Sequence, residues 1–92
     1  MQGTWTFLTN HAHVLLCLAQ DPDLTLREVA ERVGITERAA HRIVTELVTE
    51  GALERQRVGR KNHYEVNRRM PLRHPLEQHA EVGQLLQLVE AS

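Results

Sequence analysis

Ninety-two residues, 41% of them hydrophobic, are enough for one domain around one modest core, and with only 3% aromatics that core must be aliphatic. A formal net charge of −1 argues against a uniformly basic nucleic-acid binder. No apolar run approaches the ~18 residues of a membrane span, the N-terminus lacks the order of a secretion signal, and a single cysteine, Cys17, gives no intrachain disulfide and fits a reducing cytoplasm.

The chain begins with Trp5 and Phe7 alternating with threonine, then Leu8. This stretch is an arm that covers either the edge of its own core or a second subunit. The second is favoured, because so small a core has little room for two large rings. Thr9 to Gln20 reads as a helix, with Thr9 as cap and Asp21-Pro22-Asp23 as stop. Ala12, Val14, Leu15, Leu16, Cys17, Leu18 and Ala19 make it apolar nearly all round, so it should be buried on two sides. Leu24 and Thr25 can add a short strand before the next helix.

Thr25 to Leu47 predicts two short helices joined by a tight turn. Thr25 and Glu28 form a capping box. Val29, Ala30 and Val33 supply one apolar face; Ala40, Ile43, Val44, Leu47 and Val48 supply the other, at spacings of three and four. Gly34 can take the left-handed conformation that ends the first helix, Ile35 plugs the turn, and Thr36 caps the second helix. This is a helix-turn-helix signature. The outward face of its second helix carries Arg38, His41, Arg42 and Thr45 near the N-terminal half, the part of a recognition helix that reads a major groove. Taken alone, such residues are more often an ordinary solvated face.

The next segment raises the weight of the binding reading. Between Arg55 and Arg73 stand seven basic residues (Arg55, Arg57, Arg60, Lys61, Arg68, Arg69 and Arg73) and one acid, Glu65. A local basic footprint on a near-neutral chain suits a polyanion. Leu53–Val58 and His63–Val66 read as a hairpin, with Gly59-Arg60-Lys61-Asn62 as its turn and Leu53, Val58, Tyr64 and Val66 as apolar anchors. Arg55 and Arg57 alternate outward on one strand face. A basic hairpin directly after a helix-turn-helix is a wing, and Arg60, Lys61 and Asn62 would lie along a phosphate backbone or dip into a minor groove.

A turn-rich linker, Arg68 to Pro75, leads to a last helix expected over Leu76 to about Glu90, with Pro75 at its first turn. Val82, Leu85, Leu86 and Val89 form its apolar stripe, broadened by Leu88. Gly83 inside it marks a close backbone approach, to a twin helix or to the first helix. The domain division expected is 1–67 for the binding unit with its arm and first helix, and 68–92 for linker and dimerisation helix.

Two further chemistries are weighed. His74, Glu77 and His79, with His11 and His13, raise a metal site, but the spacing does not put 77 and 79 on one face, and no metal ligand is assigned. Cys17, in an apolar helix without basic sequence neighbours, should be an inert thiol. There is no phosphate loop, nucleophile elbow or paired acid that would suggest an enzyme, and no cofactor is expected.

The segment REVAERVGITERAAHRIVTELVTEGALERQRVGRKNHYEVN, and GRKNHYEV above all, resembles bacterial winged helix-turn-helix regulators of the MarR and ArsR kind. The resemblance implies a mainly α fold with a small hairpin, ordered α-α-α-β-β-α. It also implies a homodimeric transcription regulator that binds duplex DNA, and the helix face and hairpin turn described above put the expected contacts on Thr36, Arg38, His41, Arg42, Thr45, Arg60, Lys61 and Asn62, in the cytoplasm that Cys17 suggests. The rival readings are a winged-helix module that binds protein, and a metal-responsive repressor of the ArsR kind.

Overall fold

Three threonines start the first three helices. In the computed structural model, which describes residues 5–90, α1 (Asn10–Gln20), α2 (Leu26–Val33) and α3 (Glu37–Thr49) each follow a threonine in extended conformation. The Ala12, Glu28 and Ala39 amides donate to the hydroxyl oxygens of Thr9, Thr25 and Thr36 at 3.4, 3.1 and 3.0 Å. At α2 the capping box is complete, because Glu28 Oε1 accepts from the Thr25 amide at 2.9 Å. Gly34, at φ +86°, ends α2, and the Ile35 amide donates back to the Ala30 carbonyl at 3.0 Å. Ile35 packs half-buried against the core.

The remaining order is β1 (Leu53–Val58), β2 (Lys61–Val66) and α4 (Val82–Glu90), so the α-α-α-β-β-α order expected from the sequence holds. β1 and β2 pair antiparallel from Leu53↔Val66 to Val58↔Lys61. The connection is therefore two residues, Gly59 and Arg60. Lys61 and Asn62, expected in the turn, belong to β2. A glycine at φ +64° in the first turn position makes so short a loop possible. Val58, expected as an anchor, is 62% exposed. It sits at the tip, on the face opposite Leu53 and Tyr64, where pleating carries it away from the core.

No strand forms at Leu24–Thr25. Instead the Pro22 carbonyl accepts one bond from the Tyr64 amide at 2.9 Å, so the α1–α2 connection lies beside β2. One core joins all the elements: Val14, Leu15 and Leu18 of α1, Val29 and Ala30 of α2, Ala40, Ile43, Val44 and Leu47 of α3, Leu53 and Tyr64 of the hairpin, and Val82 and Leu86 of α4. Leu16, Cys17 and Ala19, on the flanks of α1, are half-buried against the same core. Much of the apolar surface of α1 is thus covered by its own chain.

The last helix starts six residues later than the sequence suggested. Residues 70–72 pair back onto 80–82: the Leu72 amide donates to Ala80 O at 2.9 Å and the Val82 amide to Met70 O at 2.8 Å, with turns at 74–77 and 77–80 between. The segment Leu76–Glu81 has too little apolar surface to hold a helix on the core, and Leu76 is 82% exposed. The helix begins where packing begins, at Val82. Gln84 Oε1 accepts from the Glu81 amide at 2.8 Å as half of a capping box.

The close approach at Gly83 is real, but its partner is neither a twin nor α1. The Gly83 amide donates to the Arg68 carbonyl at 2.8 Å, and a Cβ on Gly83 would lie 2.9 Å from that oxygen. Arg68 in turn grips Glu90 with two bonds, of 3.1 and 2.9 Å. Residues 1–4 of the arm and 91–92 lie outside the described residues.

Candidate nucleic-acid interface

The face of α3 opposite the core is polar because its buried positions, Ala40, Ile43, Val44 and Leu47, use up one side of the helix. Arg38, His41, Arg42 and Thr45 are all exposed. Arg38, Arg42, Thr45 and Thr49 follow spacings of three and four along the outward stripe, with His41 on its flank. Thr36 stands at the helix start with its hydroxyl oxygen accepting from Ala39, which leaves its O–H proton and one lone pair to offer.

Arg42 is not free. Its Nη1 lies 3.5 Å from Glu46 Oε1, one turn on. The same oxygen is 2.7 Å from Nε2 of His11, at the start of α1. The His11 bond, with Arg42 adding to it, holds the Glu46 carboxyl below the usual carboxylate range. Arg38 has no acidic partner within ion-pair distance among the described residues.

The hairpin carries the second group. Of the seven basic residues between positions 55 and 73, Arg68 is paired with Glu90 and Arg73 with Glu50. Arg55, Arg57, Arg60, Lys61 and Arg69 are exposed and have no such partner among the described residues. Arg55 and Arg57 do share one face, but by register it is the face of Leu53 and Tyr64, with Arg55 opposite Tyr64 and Arg57 opposite Asn62. Asn62 is consequently half-buried, while Arg60 and Lys61 stand at the tip. The Arg57 Nε–H donates to the Gly59 carbonyl at 3.2 Å and stiffens the turn.

The hairpin is held to the body by a contact with no sequence signal. His63 Nδ1 lies 2.8 Å from Asp23 Oδ1, forty residues earlier in the chain, beside the bond from Tyr64 to Pro22. The Thr25 hydrogen bonds hold the Glu28 carboxyl pKa below its usual range, with smaller contributions from the charges of Arg32 and then Lys61.

Three of the four histidines considered as ligands have other partners: His11 Nε2 is on Glu46, His13 Nδ1 lies 3.1 Å from Asn10 Oδ1, and His74 Nδ1 accepts from the Leu76 amide at 3.1 Å. Among the described residues no three His, Cys, Asp or Glu side chains gather as a metal site. Cys17 is half-buried; burial pushes its thiol pKa up, and the nearby Arg32 only partly offsets this. No helix among the described residues is long and apolar enough to cross a membrane. A cleft of about 730 Å³ runs beside α3, bordered by Phe7, His11, Leu15, Thr45, Met70 and Leu85 among others.

A family model described as winged helix-turn-helix DNA-binding matches residues 9–54, from the α1 cap to the start of β1. No curated protein matches the sequence. Among solved structures the chain is similar to the PcaV transcriptional regulator from Streptomyces coelicolor, in complex with its natural ligand, with a TM-score of 0.56 and 23% identity. The match covers 91% of this chain but 61% of that one, so the chain spans about three fifths of the regulator's length. At that identity the likeness is one of fold. The family match takes in half of the residues and every helix of the helix-turn-helix, and the chain belongs to the winged helix-turn-helix DNA-binding family.

Proposed function

We propose that the chain is a sequence-specific duplex-DNA-binding regulator of transcription, of the MarR and ArsR kind, working as a homodimer. One observation carries the reading. Within and just beyond the family-matched segment, an exposed face with Arg38, His41, Arg42 and Thr45 is followed by a hairpin whose cations lack acidic partners. Unpaired guanidinium and ammonium groups at a tip suit phosphate oxygens, which position a protein on a duplex without reading it. Arginine on an exposed helix can donate two bonds to a guanine edge, which does read sequence. On this reading α3 enters the major groove, Arg60, Lys61 and Asn62 flank it on backbone or minor groove, and Thr36 contacts the backbone where α3 begins.

The two roles separate experimentally. Arg42→Ala should change the preference at one base pair by ~1–3 kcal/mol. Lys61→Ala should weaken binding to every sequence and reduce the slope of log K against log salt by ~1. Titration of both variants against matched and random duplexes measures this. Equal loss on all sequences for both variants would end the division of labour, and a salt-independent response of the wild type would favour a winged helix that binds protein.

A further inference from the structure

Glu46 is out of place on a face meant for a polyanion. It stands one turn from Arg42, half exposed, and a carboxylate there repels phosphate. It is also held from two sides at one atom: Arg42 Nη1 at 3.5 Å and His11 Nε2 at 2.7 Å, both on Oε1. The second partner comes from another helix, thirty-five residues earlier. The neighbouring acid on the same side, Glu50, is engaged separately by Arg73 at 3.6 Å, so it does not compete for Arg42.

The chemistry gives such a triad a use. An arginine side chain in water samples many rotamers, and ordering it on a base edge costs that freedom. The guanidinium has five donors in a planar fork, of which a guanine edge takes two. A carboxylate on one corner leaves the others available and narrows the orientations to be lost on binding. Glu46 alone would swing with Arg42, because an exposed pair within one helix is weakly held. The bond from His11 anchors it to α1 and so to the body of the domain.

We propose that Glu46, clamped by His11, is a positioning residue that fixes the guanidinium of Arg42 for base reading. This rests on the reading of Arg42 as a base-contacting residue. It makes base preference depend on α1, a helix that need not touch DNA, and it gives Glu46 two effects of opposite sign. Removing it lowers discrimination and, by removing a negative charge, raises affinity for any duplex.

The test uses the full chain and a duplex selected by the wild type from a random-sequence pool, with all single base-pair variants of that duplex. Arg42→Ala first identifies the pair that Arg42 reads, where a preference of about tenfold or more should flatten. Glu46→Ala should bring that same preference to within about threefold and tighten binding to random duplex, with no larger fall in thermal midpoint than His11→Ala, which breaks the same bond. Glu46→Gln keeps an oxygen acceptor for both partners and should restore most of the preference. His11→Ala should reproduce the loss without the gain in random affinity, and Arg42→Ala/Glu46→Ala should match Arg42→Ala alone in its preference at that pair. An intact preference in Glu46→Ala, at a pair that Arg42→Ala flattens, overturns the inference by itself. If Arg42→Ala flattens no pair, the reading of Arg42 fails first and the inference with it.

Discussion

Glu28 shows how a single exposed side chain ties stability to pH. Its carboxylate accepts from the Thr25 amide while the Thr25 hydroxyl accepts from its own amide, and these bonds hold its pKa below the usual glutamate range. Glu46 is lowered chiefly by His11, and Glu90 chiefly by Arg68. In each case the folded state binds its proton less readily than the unfolded chain. The stabilisation is therefore complete above the unfolded value, ~4.3, and is lost as pH falls through the lowered folded value. Glu28→Gln should be less stable than wild type near neutrality, and the gap in thermal midpoint should narrow below about pH 4; a gap constant across pH would count against the charge as its source. Gly83 is the other informative residue. In most helices alanine for glycine gains stability, but here the new Cβ would lie 2.9 Å from the Arg68 carbonyl oxygen and Cβ. Gly83→Ala should cost roughly 1–3 kcal/mol in urea unfolding, because backbone cannot yield as a flexible side-chain end would.

At the scale of elements, what could be read in advance follows the range of the forces involved. The three helix caps, the left-handed Gly34 and the buried faces of α2 and α3 depend on residues within four positions of one another, and all stood where the sequence put them. The hairpin was legible in its existence and its basic tip. Its turn was read two residues too long, since Lys61 and Asn62 are good turn residues and only Gly59 at φ +64° decides for the shorter loop. The start of α4 was misread because the pairing of 70–72 with 80–82 lies outside any helical periodicity. Within the candidate site, the exposed face of α3 was legible, while the bonds of His11 to Glu46 and of Asp23 to His63 were not, being thirty-five and forty residues apart. The tight turn carries a prediction of its own. Gly59→Ala places a Cβ at a left-handed position and should cost ~1–2 kcal/mol of stability. If the tip seats Arg60 and Lys61 on phosphate, it should also weaken binding to random duplex; unchanged affinity in a filter-binding assay would separate the turn from the interface.

For the whole molecule, the question is where a second copy would pair. The flanks of α1 are packed half-buried against the chain's own core, and Val82 and Leu86 turn α4 inward, so neither helix leaves a fully uncovered apolar face. Apart from Val58 at the hairpin tip and Leu76 before α4, the large apolar side chains left exposed among the described residues are Trp5 at 65%, Phe7 at 91%, Leu88 at 80% and Val89 at 41%. Trp5 and Phe7 already meet edge to face, with centroids 4.9 Å apart, which makes them a ready-formed aromatic unit. Single exposed apolar side chains are ordinary, but a preassembled ring pair beside an apolar cleft is a better candidate for pairing. If the arm carries the dimer, Trp5→Ser/Phe7→Ser should sediment as a monomer that still unfolds cooperatively, since neither ring is part of the core, with a thermal midpoint that no longer rises with protein concentration. The consequence on DNA is quantitative. A two-fold dimer places its recognition helices on half-sites about one helical turn, ~10 bp, or a multiple of it apart. Each half contributes its own phosphate contacts, so the wild type on an inverted repeat should show about twice the salt slope of the double variant on a single half-site. Changing the spacing by about half a turn should cost the wild type most of its affinity and leave the variant unaffected. A double variant that stays dimeric would move the pairing surface to Leu88 and Val89.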